Sequence, residues 1–403
     1  MVQNIFSSEL NEFCRNSFIS LPGITAPNPI QITQDSELQN ARLFENLLLF
    51  DKISFKVTGE AILIAFLMNS FGQKGFEKLI EEGAFEFVLW TQGIVYLVNN
   101  VDGIDCFGSM NHSAPAYVDP EKSIETGLSH LRNAPTGRKR RQLIRRLIPL
   151  FRKTEDDLAA TSLTIIRHSL SNGGLEPYGV PRVIGHADNL NDLQKHLVTK
   201  CAQDLTEYNF LLRNGMTSFS EYKYFSTFWA TAERFSTMNK TVEGFSSISR
   251  IEGVPDLKEL YYDTERPLER VPYLRNSSSS QRFREWLEKT AGQSPGPDMI
   301  RSYLDAITER KGVLDTTSRK ILKTVTLAAV GVGTGSIVAG HTGAMVGAAM
   351  TPIVEKLSEF ATDTTWGILD GFVLDRIAKG WSPRMFFDDL TRFRNPPSNQ
   401  RHT

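Results

Sequence analysis

Leu43–Val57, LFENLLLFDKISFKV, decides how the chain begins to fold. It is dense in Leu, Ile, Phe and Val, and after Asp51 it changes to alternation at Ile53, Phe55 and Val57, the pattern of a strand that follows a short buried run. Working outward, EAILIAFLMNSFG (60–72) carries an eight-residue apolar core, too short for a membrane span, and Gly72 suits a helix C-cap. FEKLIEEG (76–83) predicts a second short helix stopped by Gly83. AFEFVLW (84–90) and GIVYLVN (93–99) are two β-rich runs, separated by Thr91, Gln92 and Gly93 at hairpin spacing. The expectation is a small α+β unit over residues 1–115.

Beyond Pro120 the signal becomes helical. EKSIETGLSHLRN, RKRRQLIRRLI, DDLAATSLTIIRHSL and NDLQKHLVTKCAQDLTEYNFLLRNG all repeat apolar residues at three- and four-residue spacing, which predicts a helical domain over 116–275. Tyr222, Phe225, Phe228 and Trp229 fall at helical spacing and read as core. Asn276 and the four serines after it read as a linker, so a C-terminal helical domain is expected over 276–403. The fold class that emerges is mainly α, with the small α+β unit at the N-terminus.

Two stretches carry chemistry. The first is basic: Arg132, Arg138, Lys139, Arg140, Arg141, Arg145, Arg146, Arg152 and Lys153 lie between Glu125 and Glu155 with no acid among them. The chain's net charge of -1 therefore leaves -10 for everything outside these nine residues. On a helix starting after Thr136, Leu143, Ile144, Leu147 and Ile148 share one side, and Arg138, Lys139, Arg141, Arg145 and Arg146 cover the other. Pro149 marks a break. Such a face suits the phosphates of a short DNA or RNA oligonucleotide, an anionic lipid surface, or an acidic surface of the chain or its oligomer.

The second is TVTLAAVGVGTGSIVAGHTGAMVGAAMTP (324–352), within 31 residues between Lys323 and Glu355 that hold no acid, lysine or arginine. As one helix it would exceed the roughly 30 Å hydrocarbon thickness of a bilayer. Gly331, Gly335, Ala339, Gly343 and Gly347 recur every fourth residue, giving one face of small residues on which another backbone can pack closely. An interior glycine weakens a helix by roughly 1 kcal/mol relative to alanine, so the stripe implies tight helix contact. Thr334, Ser336, His341 and Thr342 interrupt the apolar character. Two arrangements satisfy the pattern: a stored or pore-lining membrane helix with His341 facing water, or a buried hairpin of two short helices broken near Gly340.

The remaining features exclude more than they assign. Cys14, Cys106 and Cys201 are far apart, which argues against a disulfide scaffold or a thiolate zinc site and for a reducing compartment. The first 30 residues lack a basic region followed by an apolar core, so no secretory signal is read and synthesis in the cytosol is expected. No phosphate loop, dinucleotide fingerprint, zincin or nucleophile-elbow motif occurs, so no catalytic residue, cofactor or metal is assigned. Asp188, Asp192 and His196 have metal-compatible spacing on a helix, but Asp188 equally suits an N-cap. Arg167-His168 resembles the Arg-Asn-x-x-x-His element of HEPN ribonucleases, where Arg and His act at the scissile phosphate; here Asn172 stands where that histidine is expected.

The glycine stripe followed by DGFVLDRIAKGWSPRMFF (370–387) resembles the C-terminal regions of membrane-acting effectors of bacterial anti-phage defence. With the basic helix, the layout is similar to oligomeric channel effectors of the Hailong type. That resemblance implies an effector of abortive infection, held closed by a bound oligonucleotide, cytoplasmic when inactive and at the inner membrane when active. A single striped helix cannot enclose a pore, so a symmetric homo-oligomer is expected, a tetramer being the favoured size. The competing expectations are a soluble nucleic-acid-binding protein, a degenerate HEPN-like ribonuclease, and a helical scaffold.

Overall fold

The computed structural model describes residues 4–19, 28–96, 107–183, 190–218, 244–250, 252–293, 302–303, 306 and 382–394. The glycine stripe with His341, the aromatic run 219–235, Cys106 and Asp188 lie outside the described residues. The described residues are mostly helical and form an α/β assembly at the N-terminal end. The chain divides into two compact units: residues 1–235 with 268–272, and residues 236–267 with 273–403.

The first unit is organised by a five-stranded parallel sheet. β1 (Asn4–Ser7) leads through α1 (Leu10–Phe18) and α2 (Pro29–Leu49) to β2 (Lys52–Val57). α3 (Leu63–Glu81) connects β2 to β3 (Phe85–Leu89). β4 (Gln92–Tyr96), β5 (Phe107–Asn111), α4 (Pro115–Val118), α5 (Pro120–Ser129) and α6 (Gly137–Leu147) precede β6 (Phe151–Lys153). α7 (Leu158–Asn172) and α8 (Asp192–Asn214) then return the chain to β7 (Thr217–Ser218). The strand order is β6-β3-β2-β1-β7 with every pair parallel, so the chain builds outward from β1 to β6 and then crosses to the opposite edge. The sheet thus takes in strands from both sides of residue 115, and α7 and α8 belong to the same unit as β1–β3.

The alternation in β2 sorts its residues onto two covered faces, as a parallel sheet requires. Ile53, Phe55 and Val57 are fully buried, and Phe55 packs on Phe85 and Phe87, with ring centroids 5.5 and 5.8 Å away. Phe71 and Phe76 of α3 close over Phe85. On the opposite face, Phe6 and Val88 meet Phe210 and Leu211 of α8. The polar positions of β2 are used there rather than left in solvent. Ser54 Oγ donates to Glu86 Oε2 at 2.6 Å, and Lys56 Nζ pairs with Glu207 Oε2 at 2.8 Å.

Local expectations hold where glycine punctuates. Gly72, at φ 66°, breaks α3 into the two short helices read from the sequence, and Gly83, at φ 67°, ends the second. The hairpin spacing of the two β-rich runs is misleading. β3 pairs in parallel with β2 and β6, whereas β4 pairs antiparallel with β5 in a separate two-stranded sheet. The cause lies in the side chain of Gln92. Its Nε2 donates to the Asp156 carbonyl and its Oε1 accepts from Ala159 N at 3.1 Å, which ties the connection to the start of α7 and turns it away from β3. The N-terminal layer is therefore α/β rather than α+β.

In the second unit, Phe245, Phe283, Phe386 and Phe387 form an aromatic core, Phe283 and Phe386 stacking with centroids 4.2 Å apart. The serine run is no linker. Ser278 opens a helix to Gln293, Ser279 and Ser280 are buried, and Ser280 N donates to Ser277 Oγ at 3.2 Å. Serine hydroxyls at a helix start take up free amide groups, so the composition of flexible spacer serves here as a cap.

Candidate functional site

α6 forms where the sequence placed it. Leu143, Ile144 and Leu147 are buried, and Pro149 falls in a single 3-10 turn after the helix. The cationic side divides in two. Arg146 lies 3.2 Å from Glu77 and 3.3 Å from Glu81 of α3, and Arg140 donates to the Glu125 carbonyl of α5 at 2.9 Å; these two residues fasten α6 to its neighbours. Arg138, Lys139, Arg141 and Arg145 are exposed and have no ion pair among the described residues.

Their position works against the helix. Arg138, Lys139, Arg140 and Arg141 occupy its first turns, with no acid there and no side chain capping from Thr136. A helix N-terminus carries a partial positive charge and favours anions, so cations there are unfavourable, as is the Arg141/Arg145 pair one turn apart. A surface serving stability alone would place acids at these positions. The same geometry directs Arg138, Lys139 and Arg141 toward solvent beside the free amide groups of a helix start, with Arg145 one turn beyond Arg141, which is the physical make-up of an anion-binding surface.

Arg152, in the middle of β6, is engaged elsewhere: its guanidinium donates to Asn214 Oδ1 at 2.6 Å and lies 4.8 Å from the ring centre of Phe210. Arg167 donates to the Phe107 carbonyl at 2.8 Å and so ties α7 to β5, whereas Asn172 Oδ1 accepts from Gly174 N and closes the turn after α7. Cys14 and Cys201 are buried, and burial pushes both thiols up, that of Cys201 to about 12, which keeps them protonated and inert at neutral pH. Among the described residues no cluster has the make-up of a metal site.

A second candidate site, a cleft, was not visible in the sequence. At the carboxyl ends of β1, β2 and β3, marked by Ser8, Thr58 and Trp90, a cleft of about 440 Å³ opens between α1, α8 and the β4–β5 hairpin. Lys56 reaches it with its ammonium 4.5 Å from the Trp90 ring centre. Arg15 enters from α1, donating to the Thr58 carbonyl at 3.0 Å and lying 3.4 Å from Glu60. His112 packs on Tyr117, ring centroids 4.4 Å apart; burial and then the Arg15 charge hold its pKa below the ordinary histidine value, so it is neutral at pH 7. Residues from six elements meet in this cleft, and no spacing in the sequence links them.

Comparison with protein-family models, curated proteins and solved structures yields no match to the chain.

Proposed function

We propose that the chain is a polyanion-regulated membrane effector of anti-phage defence. The first unit binds a short oligonucleotide on α6, and the glycine-striped segment 324–352 acts on the inner membrane as a gated pore within a homo-oligomer, a tetramer being the favoured size. The observation that carries the reading is the exposed quartet Arg138, Lys139, Arg141 and Arg145, unpaired among the described residues, three of them in the first turns of a helix whose start disfavours cations. The stripe of Gly331, Gly335, Ala339, Gly343 and Gly347 supplies the close-packing face a multi-helix pore needs.

Binding of a labelled single-stranded oligonucleotide, followed by anisotropy over a salt series, tests the regulatory half. Each phosphate contact contributes about 0.7 to the slope of log affinity against log salt for single strands. Arg138→Glu with Arg141→Glu and Arg145→Glu flattens that slope by about 2 on this account. An unchanged slope, or no binding by the parent, rejects it.

A soluble nucleic-acid-binding protein is the second reading. It rests on the same exposed cations of α6, with no role for a membrane. It predicts the same salt slope and no leakage from liposomes.

A further inference from the structure

We propose that the cleft at the carboxyl ends of β1–β3 is a binding site for a small phosphorylated, hydroxyl-bearing metabolite, of the sugar monophosphate class. This is independent of the cationic surface on α6.

The anionic end is defined by the start of α1. The Glu9 side chain gives this nine-residue helix no cap; it pairs instead with Arg42 at 3.3 Å. Two residues after Glu9, Asn11 is 2 % exposed and lines the cleft. Its Oδ1 accepts from Leu63 N at 3.3 Å, while its Nδ2 has no acceptor. A buried amide donor without a partner destabilises the fold, so its retention beside uncapped helix amides points to an acceptor brought by a ligand. Arg15, four residues further along α1, adds a guanidinium to the same wall. An uncapped helix start, an orphan donor and a cation together form an anion subsite, at the place where open parallel sheets take ligands.

The rest of the cleft selects the body of the ligand. A volume of about 440 Å³ is far larger than a phosphate group requires. Of the two aromatic rings that line the cleft, Trp90 has the Lys56 ammonium over its ring and Phe210 edge-on with centroids 5.5 Å apart, and His112 is packed on Tyr117. A nucleobase therefore has to compete with these contacts for a ring face on which to stack. Recognition falls to hydrogen-bonding side chains: Glu12, Asn16 and Gln203 are exposed and line the mouth. Carboxylate and amide groups of this kind bind hydroxyls, which selects a sugar over a planar base.

Isothermal titration of the full chain with ribose 5-phosphate and glucose 6-phosphate tests the proposal, with inorganic phosphate, free ribose and adenosine monophosphate as comparisons. At least one sugar phosphate binds at one per chain, and inorganic phosphate and free ribose each bind roughly tenfold or more weakly, as expected when half of the recognition is removed. Asn11→Asp keeps the Leu63 acceptor and replaces only the orphan donor, so it weakens sugar phosphate and inorganic phosphate by roughly tenfold or more. Gln203→Ala, at the exposed mouth, weakens the sugar phosphate and leaves inorganic phosphate unchanged, which keeps the test decisive if Asn11→Asp does not fold. The variant with α6 charges reversed binds the sugar phosphate as the parent does. Saturable binding of adenosine monophosphate in preference to both sugar phosphates, absence of binding by all probes, or equal binding by Gln203→Ala overturns the proposal.

Discussion

Gly127→Ala is the substitution whose effect follows most directly from the packing. Gly127 lies on α5 where that helix crosses the chain leading into α3, and a Cβ built there would stand 2.1 Å from the Ala61 carbonyl oxygen and 2.5 Å from its carbon. Both are backbone atoms that cannot rotate away. In an open helix the change from glycine to alanine stabilises by roughly 0.5–1 kcal/mol. Here α5 must withdraw by more than 1 Å, on the order of the gap between that contact and ordinary van der Waals separation. Withdrawal strains two hydrogen bonds that hold the crossing, Ala61 N to Ser123 O at 3.1 Å and Ser123 Oγ to Gly59 O at 2.6 Å. Overpacking of about 1–3 kcal/mol plus about 1 kcal/mol for a weakened hydrogen bond outweighs the helix gain, leaving a net loss of about 2 kcal/mol. For a unit of this size that lowers the melting temperature by roughly 4–8 °C. Gly75→Ala is the internal comparison. Its Cβ would meet Phe71 and Pro272 at 3.5 Å, ordinary contact, so its melting temperature equals or exceeds the parent's. Circular-dichroism melts of the two variants decide the matter, and equal melting temperatures would refute the packing argument. Because Arg140 of α6 is hydrogen-bonded to α5, Gly127→Ala also displaces the cationic surface.

Further outcomes follow from the same structure. Arg138→Glu replaces a cation at the positive end of α6 with an anion, so it raises the melting temperature slightly while weakening oligonucleotide binding; a fall in both would show that Arg138 serves the fold. Leu147→Ala empties a fully buried position beneath α6 and lowers stability by about 2–5 kcal/mol in a urea titration; a change under about 1 kcal/mol would mean that α6 is loosely seated. Glu252 carries a carboxyl raised above the ordinary range by burial, with Tyr303 and Arg384 opposing and Asp388 adding to the shift. A raised carboxyl contributes its full stability below the ordinary, unfolded pKa and loses it as pH rises from there through the raised folded pKa. The melting temperature of Glu252→Gln relative to the parent therefore climbs from acid toward neutral pH, and a constant difference would refute the assignment.

How much of this was legible in the sequence depended on how local its cause is. The helix breaks at Gly72 and Gly83, the β2 strand and the amphipathic α6 rest on nearest-neighbour patterns, and the structure places them where those patterns do. The pairing of β3 was not legible, because the Gln92 side chain that turns the chain away finds its partners 64 and 67 residues on. Ser277–Ser280 misled for a related reason: serine is common both in spacers and at helix starts, and only Phe283 and its distant partners Phe386 and Phe387 make the following segment a packed helix. The cationic surface was half legible. Its helix and its polar side were, but the separation of Arg146 and Arg140 from the free quartet depends on Glu77, Glu81 and Glu125. The cleft with Asn11 was not legible at all, since parallel strand order, which the sequence does not state, brings its walls together.

Dye release from anionic liposomes, measured as oligonucleotide is added to the full chain, tests the central claim most directly. The account predicts that the parent releases dye, that oligonucleotide changes the extent of release, and that the variant with Arg138, Arg141 and Arg145 changed to Glu releases dye without responding to oligonucleotide. Gly335→Leu and Gly343→Leu, which block the close approach of striped helices, abolish release. No release by the parent in any condition, or the same oligonucleotide response in the charge-reversed variant, would contradict it.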